Sequence, residues 1–413
     1  MSSLLKPDIT LSLALSSSSP IHETLNAEKR GIRLIQLLLK CSNHASSGNL
    51  HRANACLWEI SELSSVSGDS IQRLAARFAS GLAIRLVKHW PGLYKALNHD
   101  QKPKINLEQA NALFARAFPY FGFVNIVIVR TLVQAMTNEN IIHIVDLGST
   151  DPKLWVALLH SLVHLPNGPP HLKITCLNRD KAILEKLGQR LVKEAAMLDI
   201  PFQFNPLSVS LRDVTIDMIK VRSGEALAFI SILNLHILLT EDDRVDAHFG
   251  GNKFNKIKNC KSMSNFLTMI LSTSPKLLFL VEQEANNNLN RLVDRFVEGL
   301  HYYSAIFDSI DSALGNLSNE ERLVLEEMFG REIENIVACE GLERCERHER
   351  YGKWMVRLTR GGFKPVRLWY NFDEEAKQII NSFGKGYKII SEKSSLMICW
   401  QDRPLYAVSA WTC

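Results

Sequence analysis

The sequence predicts an α/β fold: a doubly wound sheet carrying an N-terminal α-helical cap and closed by a C-terminal antiparallel hairpin. Three observations carry this reading. Apolar residues recur at helical spacing through the first third of the chain. From Ile141 the period changes to short continuous apolar runs separated by helical stretches. The last strand-like runs are joined by turns too short for a crossover.

In order, residues 1–22 are Ser-rich and aperiodic and read as a disordered tail, and 23–413 as one large domain. Leu34, Leu37, Leu38, Cys41 and Ala45 share one helix face, which Gly48-Asn49 ends. Leu50, Ala53, Leu57 and Ile60 form a second stripe. A third, Ile71 to Leu86, follows the capping turn Ser67-Gly68-Asp69-Ser70 and stops at Trp90-Pro91-Gly92. Further helices are expected around Leu107–Phe118 and Val124–Met136. Ile141–Leu147, Leu172–Leu177, Leu227–Leu233 and Lys276–Val281 read as buried strands alternating with helices, hence a parallel sheet. Tyr387–Ile390, Leu396–Trp400 and Leu405–Trp411 complete it in antiparallel fashion. That combination is similar to the Rossmann-type core of class I methyltransferases, in fold alone. Asp242–Ser264 reads as a mobile insertion.

Hydrophobic residues at 46% and charged residues at 22% confine disorder to local stretches. The net charge of +5 is too slight to argue for a phosphate-gripping surface. Eight scattered cysteines, with no CxxC pair and no zinc-spaced His pair beside them, read as reduced buried thiols. No run nears the roughly 20 apolar residues of a membrane span. The short Ile9–Leu15 piece, with an acid and a proline at its edge, is not a signal peptide, so no membrane partner is expected.

A cofactor site at the end of the first strand needs a glycine-rich turn. Asp146-Leu147-Gly148-Ser149-Thr150-Asp151-Pro152 offers one glycine. The second strand ends at Asn178 where an acid would hold ribose hydroxyls, and Asp180 comes two residues late. No catalytic residue, cofactor or metal is therefore expected, and His143 reads as a hydrogen-bonded core residue. Glu340, Glu343, Arg344, Glu346, Arg347, His348, Glu349 and Arg350 read as a charged helix. Their i,i+4 pairs favour a solvated face over a docking or domain-bracing surface.

Ile142-His143-Ile144-Val145-Asp146 resembles the VHIID motif of the GRAS family of plant transcriptional regulators. Its PFYRE motif is matched by Pro275, by Phe307 after Tyr302-Tyr303, and by Arg331-Glu332. Its SAW region is matched by Arg344-Cys345-Glu346-Arg347, where many members have RVER, and by Trp354, Trp369 and Ser409-Ala410-Trp411. The resemblance divides the domain into leucine repeat I (30–90), a VHIID region (109–174), leucine repeat II (184–217), a PFYRE region (226–335) and a SAW region (338–413). Trp90–Asn98 and Ile398–Tyr406 are similar to a scarecrow-like branch of the family. Leu11, Leu13 and Leu15 resemble the LxLxL co-repressor motif, whose alternate leucines dock in a groove.

The resemblance implies a nuclear protein that regulates transcription by binding other proteins, in gibberellin signalling and root growth and in opposition to DELLA repressors. The implied partners are DELLA and other GRAS proteins, zinc-finger transcription factors, a co-repressor, and a second copy or a relative in a dimer. Promoter DNA would be reached through them. The alternatives are a direct DNA-binding factor and, remotely, an S-adenosylmethionine-dependent methyltransferase.

Overall fold

The computed structural model describes residues 21–97, 107–240, 260–313, 317–368 and 373–413. The leucines at 11, 13 and 15 lie outside the described residues. So does most of the expected insertion, whose last residues, Lys261 to Ser264, instead open a helix. Helices α1 Ile21–Ser46, α2 Leu50–Leu63, α3 Ser70–Val87, α4 Pro91–Ala96, α5 Leu107–Ala117 and α6 Tyr120–Met136 precede the first strand. Their starts follow from capping chemistry. Asn49 accepts a hydrogen bond from Arg52 N at 3.2 Å, and Asp69 forms a reciprocal capping box with Gln72. Pro91 does not merely end the third stripe, because with its fixed φ it starts α4.

The core alternates as expected: β1 Ile141–Asp146, α7 Pro152–Leu162, β2 His171–Leu177, α8 Lys181–Met197, β3 Phe202–Leu207, α9 Ile216–Ile219, β4 Ala226–Ile232, α10 Lys261–Ser272 and β5 Leu277–Gln283. Then come α11 Leu292–Ser312, α12 Asn319–Ala338, α13 Tyr351–Arg360, β6 Lys364–Val366, α14 Asp373–Ser382, β7 Tyr387–Glu392, β8 Ser395–Trp400 and β9 Arg403–Thr412. The strands form one mixed sheet of order β3-β2-β1-β4-β5-β9-β8-β7, with β6 also on β9. β1 to β5 pair in parallel, and β5–β9–β8–β7 in antiparallel.

Alternation along each strand divides the core between the two faces of the sheet. Ile142, Ile144, Ala228, Ile230, Phe279 and Val281 join the helices of the first third. Val145, Phe229, Leu278 and Leu280 face α10, Trp354 and Trp411. The cap is not N-terminal alone. The apolar stripe of α3 runs around enough of the helix to need partners beyond α1 and α2, and α11 and α12 supply them. Phe78 meets Phe296 edge-on with centroids 5.2 Å apart, and the buried Arg73 donates to Glu326 at 2.7 Å and also to Asp311. No single described helix is long and apolar enough to cross a membrane. The pair formed by α5 and α6 passes by composition, but it is bent by 87°.

His143 occupies the β1 core as expected. Its Nδ1 lies 2.8 Å from Glu225 and its Nε2 2.9 Å from Thr175 Oγ1, with Lys173 also on Glu225. Burial, helped by the charge of Lys173 and opposed by Glu225, lowers it from 6.5 to about 4. A folded value below the unfolded one gives stability that is present above pH 6.5 and lost as pH falls towards 4. On the order of 3 kcal/mol is at stake. Urea titrations should therefore show wild type losing about that much relative to His143→Gln across this window. A difference that stays flat with pH would show that the imidazole is not the group being charged.

Candidate functional site

Open α/β sheets bind ligands beyond the carboxyl ends of the strands, where the strand order reverses. Here that point lies between β1 and β4. β1 ends in Asp146, which is fully buried. Its Oδ1 accepts from Gly148 N at 3.0 Å and Ser149 N at 2.7 Å, and its Oδ2 from Thr150 N at 2.9 Å and Trp155 Nε1 at 3.2 Å. Burial raises the carboxyl against these donors. Gly148 adopts φ 115°, and a Cβ there would collide with the Asn234 amide, which donates to Leu147 O. Asp151 caps α7 through Lys153 N, and Asp180 caps α8 through Ala182 N. Asn178 accepts from Asp180 N at 2.8 Å. Each group that could have held a cofactor is thus engaged in holding the backbone.

The charged run at 340–350 departs from expectation. It is a 3-10 turn, Gly341–Glu343, followed by non-helical, irregular chain to Arg350, and Arg344, Arg347, His348 and Glu349 are buried. Spacing at i,i+4 satisfied a helix, but partners from distant segments determine the conformation. Arg344 Nη1 donates to Asn287 O at 2.8 Å, and Arg347 Nη1 to Asn288 Oδ1 at 3.1 Å. Arg347 also donates to Arg344 O and Gly341 O, locking the strap on itself. Arg357 of α13 forms a fork on Glu349, at 2.6 and 3.0 Å. The solvated-face reading is therefore wrong for these four residues.

Beside this strap lies a charge cluster. Glu282 of β5 accepts from His236 N at 3.0 Å and lies 2.9 Å from His236 Nδ1. Glu346 stands 3.3 Å from His236 Nε2 and 3.0 Å from His348 Nε2. Burial works against charge on His236, but Glu282 and Glu346 overcome it and raise the imidazole to about 10. Burial likewise opposes the ionised Glu282, and His236 brings it down to about 2. Sequence reasoning missed His236 and Glu282. The signal available was an acid, Glu282, directly after the apolar run Leu277–Val281.

The remaining motif residues are architectural. Pro275 is buried just before β5. Phe307 is buried, and Tyr303 donates to Glu332 at 2.8 Å, while the half-buried Arg331 lies on Glu327. Trp354 and Trp411 are fully buried, and Trp411 Nε1 donates to Ser409 Oγ at 3.0 Å. Ala410 is buried opposite Phe279. Trp369 lies outside the described residues. The leucines of the first three stripes are mostly core. Apolar surface is left instead at Trp58, 71% exposed, and at Ile32, Trp90, Leu93 and Leu97.

Removing one partner of a buried ion pair leaves an unanswered charge, costing about 3–5 kcal/mol. Arg357→Met should destabilise by that amount in urea unfolding, and adding Glu349→Met should recover most of it. A double variant no more stable than Arg357→Met would show that the pair does not carry the effect.

Comparison with known proteins agrees with this geometry. Residues 34–412 match the GRAS domain family. Scarecrow-like protein 3 of Arabidopsis thaliana is 38% identical, over 97% of this chain and 93% of its own. GRAS family protein TF80 of Medicago truncatula is 33% identical, over 96% and 99%. The crystal structure of SCL7 from Oryza sativa superposes with a TM-score of 0.74 at 28% identity, covering 92% of this chain and 99% of that one. With its buried VHIID-like strand, its strap and its full-length matches, the chain belongs to the GRAS domain family.

Proposed function

We propose that this protein is a nuclear transcriptional co-regulator that works by binding other proteins, in gibberellin signalling and root growth and in opposition to DELLA repressors. Identity of 38% to Scarecrow-like protein 3 along nearly the whole chain carries the reading. Relatives named as a DELLA protein and as a chitin-inducible gibberellin-responsive protein point the same way. The strand order supports viewing the core as a class I methyltransferase-like scaffold. Its cofactor position is filled by the Asp146 turn and Asn234, which supports a non-catalytic role.

Partners would dock on the apolar residues that folding leaves outside. An exposed tryptophan on a helix is the residue type that dominates binding energy when covered. Trp58 on α2 is the first such anchor, with Ile32 on α1 and Trp90, Leu93 and Leu97 around α4 as further ones. The partners are DELLA and other GRAS proteins, zinc-finger transcription factors and a co-repressor at Leu11, Leu13 and Leu15, with promoter DNA reached through the zinc-finger protein.

In a gel shift on target promoter DNA, the full chain should move the band only when a zinc-finger partner is present. A shift by the chain alone that fades steeply with salt would replace this reading with direct DNA binding. Trp58→Asp should weaken capture of a DELLA protein about tenfold or more while leaving the melting temperature unchanged. Undiminished capture would place the docking surface away from α2. Calorimetry with S-adenosylmethionine should show no heat at millimolar concentration, and saturable heat would restore the methyltransferase alternative.

A further inference from the structure

We propose that His236, Glu346 and His348 bind one divalent cation of the zinc class, with water completing the coordination. Their donor atoms lie within 4.8 Å of one another. Glu346 Oε2 is 3.3 Å from His236 Nε2 and 3.0 Å from His348 Nε2. Ligands about 2.0–2.1 Å from a tetrahedral zinc stand about 3.3 Å apart, so a cation fits between these atoms with small side-chain adjustments. Two imidazoles and one carboxylate suit zinc better than the all-oxygen cations magnesium and calcium.

The local conformation explains how the three meet. Glu346 and His348 lie on the same non-helical strap, where a tight turn closed by Arg347 N–H on Cys345 O brings the Glu346 carboxylate within 3.0 Å of His348 Nε2. His236 arrives from the 3-10 turn Leu235–Leu239 after β4. Glu282 takes both the His236 backbone N–H and Nδ1, which turns Nε2 towards Glu346. A carboxylate behind a ligating histidine is the usual second-shell support of a zinc site.

His348 supplies a separate observation. It is 1% exposed, and neither ring nitrogen makes a hydrogen bond. Its Nε2 is close to Glu346 but misaligned for donation, and its Nδ1 is 3.9 Å from Glu282. Glu346 thus answers the imidazole as an ion pair and not through a hydrogen bond, and a cation would take Nε2 as a direct ligand. The Glu346 side chain, 25% exposed, gives the site one wet side for entry and for the coordinated water. Loading releases to solvent any proton held on either Nε2. The metal would then join the turn after β4 to the strap that leads into α13.

The test uses the full untagged chain, stripped with EDTA, then given Zn2+ or Co2+ and desalted. One equivalent should remain bound, the melting temperature should rise, and Co2+ should show the visible bands of a four-coordinate nitrogen–oxygen site. His348→Gln and Glu346→Gln should each weaken retention about tenfold or more, while Cys345→Ser should leave it intact and so exclude adventitious thiol binding. Glu346 is partly exposed, so Glu346→Gln decides the question if the histidine variant fails to fold. Failure of wild type to retain an equivalent, or equal retention by Glu346→Gln, overturns the proposal.

Discussion

A carboxylate at the centre of a sheet has to be answered by other charges, and Glu282 sets that requirement here. It lies on β5, between parallel β4 and antiparallel β9, with almost no access to water. An unpaired ion in such a place costs several kcal/mol, so the surrounding chain is arranged to supply partners. The connection after β4 tightens into a 3-10 turn that brings the His236 backbone N–H and ring back to the carboxylate. Residues 344–350 form an irregular strap rather than a helix, and along it Glu346 and His348 reach the same place.

The same device recurs wherever distant segments meet. Arg73 of α3 meets Glu326 of α12, and Arg295 of α11 meets Glu340 beyond α12. Glu349 of the strap meets Arg357. Each joint places a guanidinium with little exposure against a carboxylate, and Arg73 and Arg295 also donate to backbone carbonyls, so one wrong register strands a charge. Apolar packing could supply similar stability with less discrimination. In this chain the joints connect α3 to α12, α11 to the segment after α12, and the strap to α13, where apolar stripes alone would tolerate sliding.

Much of the fold was legible because burial writes a period. The strands β1, β2, β4 and β5 are short, buried and largely apolar runs, and the stripes of α1 to α3 repeat at helical steps. β3 escaped because it is an edge strand, half exposed and carrying Pro206, so it leaves no apolar run. β6 is three residues long and takes its conformation from β9. The charged run was misread for a different reason. Local i,i+4 pairing is worth a few tenths of a kcal/mol, whereas a buried charge is worth several, and the partners of the buried run lie at Asn287, Asn288 and, facing His348, Glu282. That information is non-local and no window of sequence contains it.

The VHIID-like strand shows how a motif can mark a fold without being a site. Ile142 and Ile144 face the core shared with the helices, while Val145 faces the opposite core. His143 holds the amino end of the sheet through Glu225 and Thr175, and Asp146 holds the carboxyl end by gathering the turn that follows it. Every one of these side chains is spent inward. A nucleotide-binding version of this turn would need its backbone N–H groups free for phosphate, but here Asp146 already accepts from three of them. Closing the crevice and ordering the turn are therefore the same event. Any ligand entering there would have to break the hydrogen bonds that terminate β1.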